Sequence, residues 1–251
     1  MNVFFRSCLV AILLVSTSLR ADVLGLEAGA SFWEPDYTGN FALNAPGFTG
    51  TQVNIKDDLG YGSQSHNIYW VSIEHPLPIL PNFKIVSSDL NATSSARLSK
   101  AITFGGQTFS VSDDVTSRFD LSNTEYTLYY ELLDNWLTLD AGLTLRKYNG
   151  QANISTTSTG ASEKLDFSIP LIYLNARFDL PFTGFFVDSQ LNTVSVGDNS
   201  ITDTAVSLGY ESSIGLGARL GYRSLDLQFD ESDLTGDLKF KGTYLNAFYH
   251  F

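Results

Sequence analysis

Three histidines and one cysteine are the side chains of this sequence best suited to acid–base or nucleophilic work. Such chemistry needs a nucleophile and a base within hydrogen-bond reach, and a third group to orient the base. His66 has company of that kind, with Ser63 and Ser65 just before it and Asp57 and Asp58 a little further back. His75 abuts a proline-rich turn and His250 is penultimate, so both read as interfacial side chains. There is no Gly-x-Ser-x-Gly elbow, no His-Glu-x-x-His pair and no phosphate-cradling glycine loop. Asp57-Asp58 and Asp230-Glu231-Ser232-Asp233 carry hard oxygen donors but lack the spacing of a calcium loop. They read as solvated charges on connecting segments. No catalytic residue, metal or cofactor is expected.

A larger set of charges is spaced by parity. Glu27, Glu74, Glu125, Glu131, Asp140, Arg146, Arg177, Asp188, Asp203, Glu211, Arg219 and Arg223 all fall on the polar side of alternating stretches. Successive side chains of a strand point to opposite faces, so these twelve share one surface of a sheet. The stretch from Trp136 to Lys147 is the clearest case. Leu137, Leu139, Ala141, Leu143 and Leu145 face one way, and Thr138, Asp140, Gly142, Thr144 and Arg146 face the other. If the sheet closes on itself with the polar side inward, the charges meet in a narrow lumen, where they must pair or stay hydrated. Two uses follow: a salt-bridged, water-containing interior, or a narrow pore lined by charge.

The elements that would position these charges are long strands. Alternation predicts ten, over residues 22–32, 66–75, 83–92, 118–132, 136–148, 166–178, 185–194, 201–211, 214–227 and 238–251, with eight or twelve compatible. The third is the least regular, and Ile102–Val111 fits a loop hairpin or an extension of the wall. Connections alternate between short (76–82, 133–135, 179–184, 212–213) and long (33–65, 93–116, 149–164, 195–200, 228–237). That is the pattern of an antiparallel meander with one plain and one elaborated rim. The 251 residues show no domain boundary after the leader, so one domain over 22–251 is expected.

The first 21 residues read differently. Arg6, then the apolar run Leu9–Val15, then small polar residues ending at Ala21 have the form of a cleaved secretory signal peptide. Its removal would take away Cys8 and with it any disulfide or thiol chemistry. The formal net charge of −12 argues against nucleic acid as a partner, because phosphate binding needs clustered cations.

Alternation alone leaves the solvent of the apolar face open. In a soluble barrel it faces inward, and in an outer-membrane barrel it faces lipid. Strands of ten residues or more suit a bilayer, which takes about 9–11 tilted residues to cross. Aromatics near strand ends (Phe32/Trp33, Tyr69/Trp70, Trp136, Phe178, Phe185, Tyr222 and Tyr249/Phe251) suit interfacial girdles. The expectation is therefore an all-β, transmembrane up-and-down antiparallel β-barrel of the bacterial outer membrane. Its leading role is structural or surface-interacting, and a narrow porin-like channel is the alternative. A lipid- or peptide-processing enzyme is the least favoured reading. Lipid, lipopolysaccharide and the outer-membrane assembly machinery are the partners that go with such a barrel.

The last strand, with Leu245, Ala247, Tyr249 and a terminal Phe251, resembles the C-terminal assembly signal of bacterial outer-membrane barrels. Further segments extend the likeness: Trp33–Gly39, the turn Glu74-His75-Pro76-Leu77-Pro78-Ile79-Leu80-Pro81-Asn82, Pro170–Tyr173 with Ala176–Pro181, and Gly221-Tyr222-Arg223. Together they resemble a family of small bacterial outer-membrane β-barrel proteins over nearly the whole chain after the leader. The resemblance implies fold and location, and it carries no activity or catalytic residue.

Overall fold

A computed structural model describes residues 24–77 and 79–251; the expected leader at 1–21 lies outside the described residues. The alternating stretches form strands β1 (Gly25–Leu43), β2 (Val53–Asn54), β3 (His66–Glu74), β4 (Asn82–Asp89) and β5 (Asn91–Arg97). A small hairpin follows, β6 (Ile102–Phe104) with β7 (Gln107–Phe109). Then come β8 (Asp114–Asp120), β9 (Asn123–Leu133), β10 (Leu137–Ser155), β11 (Gly160–Asp179) and β12 (Phe185–Val196). β13 (Asn199–Glu211), β14 (Leu216–Asp230) and β15 (Leu234–His250) complete the chain.

Ten antiparallel staves close into a barrel. β4 and β5 form one stave interrupted at Leu90, and β8 and β9 form another interrupted at Leu121 and Ser122. The interruptions are matched, since the Leu121 amide donates to the Leu90 carbonyl at 3.0 Å. Closure comes from the first and last strands, which pair from Glu27↔His250 to Leu43↔Leu234. Where the staves run side by side the closed sheet satisfies backbone groups within the wall; toward the elaborated rim β5 pairs with β8 alone, and β11 before Ile172 pairs with β10 alone.

The strands are longer than alternation showed at the elaborated rim. β1 continues through Trp33 to Leu43, β10 and β11 stay paired to Ser155↔Gly160, and β14 and β15 stay paired to Asp230↔Thr235. The expected connections 149–164 and 228–237 are thus mostly ladder, and the one expected from 33 begins only at residue 44. Ser, Thr, Asn and Gly on both faces hide the period there, yet the hydrogen-bond ladder persists because it depends on backbone groups alone. What remains irregular is residues 44–65 and 98–113. Ile102–Val111 belongs to a loop hairpin, β6–β7, and not to the wall.

Parity decides what each face meets. On β10, Leu143 is 64% exposed and points outward, whereas its neighbours Thr144 and Arg146 are each 1% exposed and point inward. The outward set includes Leu128, Ile172, Leu174, Leu208, Leu220 and Leu245. Phe32, Tyr69, Trp136, Phe178, Phe185, Tyr222, Tyr249 and Phe251 lie on this outer face as expected, but Trp33 and Trp70 do not. Each is one residue out of step with its aromatic neighbour, so both turn inward and are buried.

Two different interiors share the barrel. Toward the elaborated rim, residues 44–65 and the β6–β7 hairpin fold over the end and seal a dry core. Phe41 is its centre, with ring centroids 4.7 Å from Phe119 and 5.7 Å from Phe104. Ile55, Leu59, Ile102 and Phe109 fill the space around them. Toward the short-turn rim the interior is polar and open.

Candidate functional site

The open half of the barrel is a cavity of about 400 Å³ whose mouth lies among the short turns. Its floor is a layer of largely buried charge. Arg146 reaches from β10 to Asp203 of β13 at 2.6 Å and to Glu125 of β9 at 3.0 Å. Arg223 of β14 clasps the same Asp203 with both Nε, at 2.8 Å, and Nη2, at 2.7 Å. This planar two-point grip is the strong form of a guanidinium–carboxylate contact. The Arg223 guanidinium also lies 4.7 Å from the Trp33 ring, which closes the cavity on that side.

Nearer the mouth, more arginines are paired and stacked. Arg219 meets Glu27 at 2.9 Å and Asp188 at 3.3 Å, and Asp188 also accepts a hydrogen bond from Ser207. Arg177 meets Asp179 and Glu211, each at 2.9 Å, and Glu211 is shared with His250 at 3.2 Å. The guanidinium carbons of Arg177 and Arg219 sit 3.8 Å and 4.1 Å from the rings of Phe186 and Phe248. Cations over aromatic faces gain from the ring quadrupole, most where water is thin. The wall provides the room: Phe186 and Phe248 lie over Gly209 and Gly217 on neighbouring strands, where a Cβ would collide with the rings.

The β3–β9–β10 side is arranged differently. Glu74 accepts the Tyr129 hydroxyl at 2.8 Å, and Asp140 accepts the Asn175 amide at 3.0 Å. Among the described residues, no Lys or Arg pairs with Glu74, Glu131 or Asp140. Lys84 projects between the two sides, bonded to Gln190 at 2.8 Å and 5.3 Å from the Trp70 ring.

All twelve charges singled out by parity point into the barrel. Lys84, Asp179, His250 and Trp70, which lie outside that set, also line the cavity, together with Tyr129 and Tyr173, which alternation places on the same polar side as Glu125 and Arg177. Lys84 keeps the inward parity of Asn82, Val86 and Ser88, a signal masked by the irregular character of that stretch. His250 faces Glu211 inside the mouth and is not interfacial.

The group around His66 does not assemble as a nucleophile and base. His66 is buried, its Nε2 bonded to the Tyr37 hydroxyl and its Nδ1 to the Asp89 carbonyl at 3.0 Å. Ser63 instead donates to Asp36 at 2.6 Å. Asp58 is a loop clamp, paired with Lys100 at 2.7 Å and accepting the Asn54 amide at 2.7 Å. Among the described residues, no three His, Cys, Asp or Glu side chains are placed to hold a metal ion.

No protein-family model matches the sequence, and no curated protein matches it. Among solved structures, the chain is similar to the CymD monoaromatic hydrocarbon channel, at 8% identity and a TM-score of 0.36, covering 93% of this chain and 70% of that one. It is similar to the toluene transporter TodX of Pseudomonas putida, at 10% identity and 0.35, covering 92% and 89%. It is also similar to Ail, the attachment invasion locus protein of Yersinia pestis, at 10% identity and 0.31, covering 90% and 98%.

Proposed function

We propose that this chain is an integral bacterial outer-membrane β-barrel with a structural or surface-interaction role, its elaborated rim outside and its short turns in the periplasm. The observation that carries the reading is the inverted distribution of polarity: leucines and aromatics on the outer wall, paired charges within. Left in water, each such leucine or phenylalanine would forgo about 1.5–3 kcal/mol of burial. A belt of them around a soluble monomer far exceeds the apolar patches such proteins tolerate. Hydrocarbon removes that cost, and closure of the wall meets its requirement for satisfied backbone groups. In this reading lipid contacts the belt and lipopolysaccharide contacts the outer rim. The assembly machinery reads Leu245, Ala247, Tyr249 and Phe251, all four exposed on the outer wall.

The dry core around Phe41 lies across any path along the axis, so the proposed barrel is closed to through-passage. No catalytic residue is assigned. The test is extraction from membranes followed by gel mobility with and without heating. A folded barrel migrates faster unheated and needs detergent to stay monodisperse. A leaderless chain that forms a compact monomer in detergent-free buffer would overturn the proposal.

A further inference from the structure

We propose that the blind cavity at the short-turn rim binds a small organic cation bearing ammonium or guanidinium groups. The volume of about 400 Å³ lies within the range of roughly 300–1,000 Å³ usual for small-molecule sites. Its floor is closed by the Arg146–Asp203–Arg223 layer and its wall is a closed sheet, so the site is pre-formed with one way in.

Charge pairing inside the cavity selects the sign of the ligand. Each guanidinium that lines it already faces one or more carboxylates: Arg177 with Asp179 and Glu211, Arg219 with Glu27 and Asp188, Arg223 with Asp203. An anion would have to displace one of these partners. On the opposite side Glu74, Glu131 and Asp140 hold no cation, and they outnumber Lys84, the one lining Lys or Arg without a carboxylate partner among the described residues, so the unmatched charge is on balance negative. Asp140 is the sharpest instance. It is only 8% exposed, its Oδ2 takes the Asn175 amide, and its Oδ1 has no partner. A buried carboxylate oxygen without a donor is costly, and a charged N–H donor is the partner that best offsets it. Lys84 does not fill the role, because its ammonium is held by Gln190 and lies over Trp70. The carboxylates are too dispersed to converge on a metal ion, which leaves a molecule that spreads its positive charge over several ångströms.

Agmatine, with a guanidinium at one end and an ammonium at the other, is a suitable probe. It would be titrated by calorimetry into the full-length, membrane-extracted barrel in non-ionic detergent, beside glutarate and sorbitol at matched ionic strength. Saturable one-to-one binding of agmatine is expected, with none for glutarate or sorbitol. Asp140→Asn should weaken it by about tenfold, the loss of one charge-assisted contact. Glu231→Gln, on the far rim, should leave it unchanged. Should Asp140→Asn lose the heat-modifiable fold, Glu131→Gln at the mouth supplies the same comparison. Agmatine heats no larger than those of sodium chloride, equal binding of sorbitol, or undiminished agmatine binding by folded Asp140→Asn (or by Glu131→Gln where it takes its place) would each overturn the proposal. The membrane reading stands or falls separately, on detergent dependence and gel mobility.

Discussion

Arg146 shows what one residue does in the interior. Its guanidinium is 1% exposed and faces both Glu125 and Asp203, themselves nearly as deeply buried. A buried ion pair is weak proof of net stability, but removing one partner strands the other charge, at a cost of about 3–5 kcal/mol. Arg146→Ala should therefore lower the unfolding temperature sharply in detergent, read as loss of the fast-migrating gel form on mild heating. Lys241→Ala is the contrast: its pair with Asp226 at 3.4 Å is half in solvent, and such pairs contribute at most about 1 kcal/mol. Equal effects of the two variants would contradict the buried network. Tyr61, on the connection after β2, is buried, and burial pushes its pKa up to about 12 against the opposing pull of Ser117 and the Phe119 backbone. A free phenol titrates near about 10, so stability from the neutral form is complete below that pH and is lost as pH rises toward the folded value. Tyr61→Phe should flatten this alkaline loss and change stability at neutral pH by no more than about 1 kcal/mol. A pH-melting series on both proteins checks it.

At the scale of elements, the wall is fitted strand to strand by size. Phe186 on β12 lies over Gly209 on β13, and Phe248 on β15 lies over Gly217 on β14. Gly209→Ala should displace the Phe186 ring from beneath Arg177, with an overpacking cost of about 1–3 kcal/mol; unchanged melting would show that the ring has room to move. The β6–β7 hairpin is held in a similar way, by Phe104 and Phe109 sunk completely into the dry core. Phe104→Ala should cost about 3–5 kcal/mol through the cavity it leaves, and limited proteolysis should then cut first within residues 98–113. Strand centres were readable because alternation there has two solvents to obey. Strand ends beyond Trp33 and Tyr148 were not, because Gly, Asn, Ser and Thr suit a ladder and a loop alike.

The whole molecule combines a lidded end with an open cup. Axial passage would require moving the packed residues around Phe41, so the intact barrel should be silent in planar-bilayer recordings. A variant with residues 99–112 replaced by a short Gly-Ser linker loses Phe104 and Phe109 but keeps residues 44–65, Phe41 and the Arg146–Asp203–Arg223 floor, so it should stay silent as well. Open-channel steps from the unaltered protein would instead restore the porin-like alternative. The fold is held by neighbouring strands plus the single β1–β15 closure, and that closure uses the terminal strand carrying Tyr249 and Phe251. Truncation before Leu245 should therefore abolish the heat-modifiable form altogether.

Local order determined much of this. The period of two set ten staves, and the parity of Asp140, Arg146, Arg219 and their like set which charges share an interior, since a strand offers each side chain one of two faces. Closure decided the rest. Which carboxylate met which guanidinium, how residues 44–65 and 98–113 made a dry lid, and why Asp140 was left short of a donor all depend on contacts across the barrel. Such contacts join residues far apart in the chain, and a pattern of nearest neighbours holds no record of them.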